Sequence, residues 1–234
     1  SFANYHDAGA KTLFGDKPIA ANKTAEQDID AALDILFAHP NVGPFISKQL
    51  IQRLITSNPS PAYVTRVATI FNNNGKGVKG DLKAVVKAIL LDDEAQNGYK
   101  TALATFGKLR EPILKTAHLW RAFKGTGTPT KMKDGSVTNK RLRFYGSGRL
   151  MGQRPFGSNS VFNFYRPDYQ HPGELKNNNM NSPEFQILTE SMIMSQISSL
   201  SNAIFWRDTP NDWLEPVIDP NWDAFSPRLH LDRE

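Results

Sequence analysis

The segment Asn4 to Gly15, NYHDAGAKTLFG, places a histidine, an aspartate and a lysine close together in sequence. His6 can ligate a metal ion, Asp7 can ligate the metal or orient it, and Lys11 can stabilise negative charge developing on a substrate. That combination suits metal-assisted hydrolysis. Two features weigh against it. Adjacent side chains on an extended chain point to opposite faces, so His6 and Asp7 share one metal only within a turn. Further ligands must also come from elsewhere, and the chain has five histidines in all. If Ala8, Gly9 and Ala10 form a turn, Lys11 pairs with Asp7 and the cluster serves the fold.

A second chemistry-bearing stretch runs from Gln153 to Glu174, QRPFGSNSVFNFYRPDYQHPGE. Arg154 and Arg166 flank Phe156, Phe162, Phe164, Tyr165 and Tyr169. Guanidinium and aromatic faces of this kind stack on sugars or bases, and a groove edged by Arg154, Arg166 and His171 can hold a ligand. The ligand-binding candidates are therefore Arg154, Phe156, Tyr165, Arg166 and His171. The same aromatics can instead anchor an irregular loop to a core, since each buries a large apolar area.

Other patterns fail on inspection. In GKGVKGD, Gly80 is followed by Asp81 and Leu82, where a phosphate loop needs Lys and Ser/Thr. GTGTPT, from Gly125, lacks the third glycine of a dinucleotide fingerprint and follows a helix rather than a strand. Ser147 has glycines on both sides at the wrong spacing for a nucleophile elbow. Asp92, Asp93 and Glu94 lack the alternation of a calcium loop and read as a solvated surface. Glu111, Lys115 and His118, at spacings of four and three, read as a surface ion pair beside an ordinary histidine. No cofactor is expected.

The elements that must position these residues read as helices. TAEQDIDAALDILFAH opens with the capping box Thr24 and Gln27 and turns Ile29, Ala32, Leu33, Leu36 and Phe37 to one face. A second helix runs through FISKQLIQRLIT, with Phe45, Ile46, Leu50, Leu54 and Ile55 inward. Ser60 and Pro61 open a third carrying Val64, Val67, Ala68 and Phe71. A fourth starts near Asp81, with Leu82, Val85, Val86, Ile89 and Leu90. A turn is expected at Asn97 and Gly98, then a helix from Glu111 to Phe123 with Leu114, Ala117 and Phe123 inward. Lys124 to Asn181 is rich in Gly, Pro, Asn and Ser and exceeds an ordinary connection. A short hairpin is expected there, around MKDGS. Ser182, Pro183 and Glu184 open a last helix of roughly 25 residues, with Ile187, Leu188, Met194, Ile197, Leu200 and Ile204 packed inward.

The expected class is therefore mainly α, an irregular helical bundle with a long loop-rich insertion and at most a small β-hairpin. One helical domain spans 1–234, with a helical core at 24–123 and 182–207, a loop-rich segment at 124–181 and an extended wrap at 208–234. At 234 residues with 39% hydrophobic content the chain can bury a substantial core. No run reaches the roughly 18 apolar residues of a membrane span. The absence of cysteine excludes disulfides and thiolate metal sites. The net charge of +5 is unevenly spread. Arg121 to Arg154 holds nine basic residues against Asp134, while the chain from Arg207 onward is acidic. The basic stretch can attract a polyanion, but without a recognition motif nucleic acid ranks last among partners.

The segments HDAGAKTLFG, HPNVGPFISKQLIQRLITSNPSPAYVTRVATIF, NGKGVKGDLKAVVKAILLDDEA, KLREPILK and QRPFGSNSVFNFYRPDY, in that order, resemble the bacterial family called domain of unknown function 1800. The resemblance covers nearly the whole chain. It implies an exported protein, periplasmic or secreted, often encoded beside an uncharacterised family of alkaline-phosphatase-like proteins that is a candidate partner. It also implies a piece of a longer chain, with more helical sequence before HDAGAK. The leading expectation is a binding or accessory protein that contacts a partner protein or an extracellular polysaccharide. The alternative is a metal-assisted hydrolase using His6 and Asp7 with residues outside this chain.

Overall fold

The computed structural model describes residues 3–122, 151–154, 156–158 and 160–205. Contacts divide the chain into two compact units, Ser1–Gly107 and Lys108–Glu234. The chain is mainly α, with one small antiparallel hairpin among the described residues. MKDGS, GTGTPT, Ser147 and the expected C-terminal wrap lie outside the described residues.

In the first unit the hairpin occupies the opening cluster itself. Strands β1 (Lys11–Leu13) and β2 (Lys17–Ile19) pair in the register Lys11↔Ile19, Thr12↔Pro18 and Leu13↔Lys17. The turn between them carries positive φ at Phe14 (53°) and Gly15 (78°). Helix α1 (Ala25–Ala38) follows its expected capping box: Gln27 N–H donates to Thr24 Oγ1, and Thr24 N–H donates to Gln27 Oε1.

Helix α2 (Val42–Leu54) begins three residues before the expected Phe45. Pro44 falls in its first turn, where a missing N–H costs nothing because those amides have no helical partner. Helices α3 (Pro61–Asn72) and α4 (Leu82–Leu91) start at their expected caps, Ser60 and Asp81, whose side chains accept from Tyr63 N and Ala84 N. The core of the unit is Ile51, Tyr63, Val67, Phe71, Val85 and Ile89, drawn from α2, α3 and α4. Burying an aliphatic side chain of this size stabilises by about 1.5–3 kcal/mol.

Helix α5 (Asp93–Thr101) corrects the expected turn at Asn97 and Gly98. Gly98 is buried within it, and a Cβ there would sit 2.3 Å from the Phe106 ring. The glycine is present to let an aromatic ring approach the helix, not to turn the chain. The acidic triplet is likewise structural. Asp92 caps α5 and holds Arg66 through two 2.7 Å bonds, and Glu94 accepts from Ser60 N at 2.8 Å. Arg66 keeps the Asp92 carboxyl below the usual range, with burial opposing it.

Helix α1 corrects the expected inward face. Ile29, Leu33, Leu36 and Phe37 are all exposed, while Asp28 is its buried residue. Ala31, Ala32 and Ile35, which share a stripe with Asp28, are only partly covered. Phe45 and Leu54 of α2 and Leu82 and Leu90 of α4 are also exposed, flanking faces whose centres are Ile51, Val85 and Ile89.

In the second unit α6 spans Pro112–Ala122, with Ala117 partly covered and Leu114 exposed where both were expected inward; Phe123 lies outside the described residues. A four-residue helix, α7 (Glu174–Asn177), interrupts the loop-rich region. The last helix is shorter than expected. Pro183–Ile187 forms a 3-10 turn, Leu188 leaves helical geometry (φ −96°, ψ 66°), and α8 spans Glu190–Phe205. Thr189 restarts the helix, its hydroxyl accepting from Met192 N at 3.3 Å. Met194 and Ile197 are exposed on α8, and Gln196 is buried. Among the described residues, no helix is long and apolar enough to cross a membrane.

Candidate functional site

The opening cluster folds into a clasp. Asp7 turns its carboxylate back to accept from Gly9 N at 2.8 Å. Lys11 does not reach that carboxylate. Its ammonium donates to the Asp7 and Gly9 carbonyls and to Asp28 Oδ2, the last at 2.7 Å. His6 Nε2 lies 3.1 Å from the same Asp28 oxygen but outside hydrogen-bonding geometry. His6 and Asp7 therefore engage separate partners. The hydrogen bond from Lys11, then the charges of Lys11 and His6, hold the Asp28 carboxyl below its ordinary range against the cost of burial. Among the described residues, no group of three His, Cys, Asp or Glu is arranged to hold a metal ion.

The glycine-rich loop after α3 is closed to anions by its own side chains. Asn73 Oδ1 accepts from Gly75 N and Gly77 N, and Asn74 Oδ1 accepts from Lys76 N and Val78 N. Those amides are the donors a phosphate would need. Asn74 Nδ2 in turn donates to Asp81, tying the loop to the cap of α4.

The Arg and aromatic segment divides into an anchor and a displayed edge. Tyr165 is the anchor: it is buried, and its hydroxyl donates to Glu111 in a very short bond. Gln153 Nε2 donates to the other Glu111 oxygen at 2.6 Å, and Gln153 Oε1 accepts from Ile113 N at 3.3 Å. Glu111 is thus buried and binds the start of α6 to the first residue and the middle of the segment. The expected surface pairing is replaced, with Lys115 and His118 on the exposed side of α6.

His171 is half-buried, its ring 5.3 Å from Phe185 and its backbone N–H donated to Ser182 Oγ at 2.8 Å. These contacts brace the chain between Gln170 and Ser182. Arg154 and Arg166 are both exposed, and Arg166 forks onto Asp168 at 3.1 and 2.8 Å. Phe156 is fully exposed, and Val161 nearly so.

A second buried carboxylate completes the unit. Glu184, 1% exposed, lies 2.9 Å from Lys108 Nζ, yet neither of its oxygens accepts a well-aligned hydrogen bond. Asp28, Gln153 and Glu184 are the site residues that sequence reasoning passed over. Asp28 had a legible signal. It sits three and four residues before Ala31 and Ala32, on a small-residue stripe that can pack closely. Gln153 and Glu184 had none, because their partners lie 42 and 76 positions away.

The geometry defines a mainly helical protein with its buried acids committed to structure and one arginine and aromatic edge presented outward. The family model described as "Protein of unknown function (DUF1800)" matches residues 2–224, and the chain belongs to that family. No curated protein and no solved structure matches it.

Proposed function

We propose that this chain is an exported bacterial binding protein whose contact surface is the displayed edge of residues 153–171, and that its ligand is a partner protein or an extracellular polysaccharide. Phe156 carries the reading. Gly157 N–H returns to the Arg154 carbonyl at 3.1 Å, closing a four-residue turn whose third residue, Phe156, has φ +56°. That position favours glycine or asparagine, and a bulky side chain in left-handed backbone costs about 1–2 kcal/mol. At 109% exposure its ring recovers nothing by packing. A residue unfavourable in both respects is accounted for by a contact outside the chain.

Phe156 and Val161 stand almost wholly exposed on this edge, and Arg154 is exposed two residues before Phe156. A projecting ring fits a pocket on a partner protein better than it fits a sugar, whose sites are concave. The family of alkaline-phosphatase-like proteins is the first partner to test. Phe156→Gly relaxes the turn and removes the ring, so it should preserve or raise the melting temperature while abolishing binding. Arg154→Ala with Arg166→Ala should weaken binding. Affinities for that partner and for a polysaccharide panel that stay at wild-type values in all variants would remove this surface from consideration.

A metal-assisted hydrolase using His6 and Asp7 is the weaker proposal, because the two side chains are held by separate partners. It is tested by elemental analysis of the protein together with hydrolase assays on His6→Ala.

A further inference from the structure

The chain holds two Asn-Gly steps, Asn74-Gly75 after α3 and Asn97-Gly98 within α5. In such a step the glycine nitrogen can attack the carbonyl carbon of the asparagine side chain, because no Cβ obstructs its approach. Closing that ring asks for a side chain folded forward along the chain, a nitrogen free of helical bonding, and donors on the oxygen that becomes negative. The two steps differ in all three.

Asn74 points forward. Its Oδ1 accepts from Lys76 N at 2.9 Å and from Val78 N at 3.3 Å, both further along the chain. Folding the side chain this way carries Cγ toward the Gly75 nitrogen. The two amides also form an oxyanion hole, since their bonds to Oδ1 strengthen as the carbonyl becomes tetrahedral. Gly75 N–H is given at 2.9 Å to the side chain of exposed Asn73, so rotation of one surface side chain frees it. Gly75 itself is exposed at φ +85°, with no atom within 4 Å of where a Cβ would sit, and water reaches the turn.

Asn97 points backward. Its Nδ2 donates to Asp93 Oδ1 at 2.6 Å, one helical turn earlier. Gly98 is buried beneath Phe106 inside α5, where its N–H belongs to the helical ladder.

We infer that Asn74 is a site of self-modification, that Asn97 is not, and that conversion of Asn74 unties the loop from α4. The Gly75 nitrogen loses its proton to solvent base and bonds to Asn74 Cγ. The Cγ–Nδ2 bond breaks, and Nδ2 takes a proton from water and leaves as ammonia. Water then opens the succinimide to aspartate or isoaspartate, with no oxidant or reductant consumed. In the unreacted chain Asn74 Nδ2 donates to Asp81 Oδ2 at 2.7 Å, while Asp81 Oδ1 accepts from Ala84 N to cap α4. Aspartate at position 74 replaces that donor with a second carboxylate, and the two like charges repel.

The test incubates the native protein in mildly alkaline buffer beside the free peptide NNNGKGVKG and maps both by mass spectrometry, with the two aspartate isomers separated. Asn74 should convert in the folded protein as it does in the peptide, while Asn97 stays an amide until urea unfolds α5. Gly75→Ala should stop the conversion. Asn74→Asp should lower the melting temperature. Asn74→Asp with Asp81→Asn should recover it, because asparagine still caps a helix and returns a donor across the pair. An intact Asn74 in folded protein when the peptide has reacted, conversion of Asn97 as fast as that of Asn74, or an Asn74→Asp protein that melts with the wild type would each overturn the inference.

Discussion

Lys11 and Asp28, seventeen positions apart, meet at 2.7 Å, and the same ammonium also gathers the carbonyls of Asp7 and Gly9. One lysine thereby fastens the opening segment and its hairpin to the first turns of α1. The histidine, aspartate and lysine that suggested catalysis from their types are arranged around an acid supplied by a helix. Asp7 shapes the turn, Lys11 crosses it, and His6 closes over the acceptor.

Asp28→Asn should loosen this clasp. The amide keeps the shape but loses the charge that attracts Lys11, so the melting temperature should fall. The Asn22 amide, which donates to Ala8 O at 2.8 Å, should exchange faster. The Asp28 carboxyl titrates below its ordinary value because Lys11 donates to it. Its stabilisation is therefore present above the unfolded carboxylate range and lost as pH falls through the lowered folded value. The gap between wild type and Asp28→Asn should narrow between about pH 5 and pH 2. Melting curves across that range check it.

Gly98→Ala should destabilise α5 although alanine is the better helix former. The propensity gain is about 1 kcal/mol. Against it, the new methyl overlaps the Phe106 ring, and overpacking costs about 1–3 kcal/mol. In a Phe106→Leu background the overlap is relieved and the sign should reverse. Urea denaturation of the four proteins gives the comparison.

That glycine also shows where the sequence was and was not legible. Local signals were reliable: Thr24 with Gln27, Ser60 with Pro61, and Asp81 each open a helix as their side-chain chemistry dictates. Asn97 and Gly98 misled because their role depends on Phe106, outside the helix. The face of α1 misled for a different reason. Periodicity identified a true apolar stripe, but Ala31, Ala32 and Ile35 form a second one, and Asp28 meeting Lys11 decides which turns inward. For the candidate site, Arg154 and Phe156 are exposed, while the Tyr165 and Glu111 contact spans 54 positions and leaves no local trace.

Removing either end of that contact should expose its coupling. Tyr165→Phe removes the Tyr165 donor from one Glu111 oxygen, and Glu111→Leu removes the acceptor of both the Tyr165 hydroxyl and Gln153 Nε2. Each buried hydrogen bond lost costs about 1–3 kcal/mol, so the second change, which removes two, should be the more damaging. The double variant should cost less than the sum, with a coupling of about 0.5–3 kcal/mol. Equal and additive losses in chemical denaturation would contradict a shared hydrogen bond.

Lys108 and Glu184 make the sharpest case for a charge kept by its partner. Glu184 is 1% exposed and Lys108 stands 2.9 Å away as its counter-ion. Lys108→Met abandons a buried carboxylate and should cost about 3–5 kcal/mol. Lys108→Met combined with Glu184→Leu replaces the pair by apolar groups of similar size. Because desolvating two charges offsets much of their attraction, the double variant should recover most of that loss and can match wild type. If Lys108→Met alone is neutral in denaturant titrations, Glu184 does not rely on this lysine. If the double variant stays as unstable as the single one, packing rather than the unpaired charge accounts for the loss.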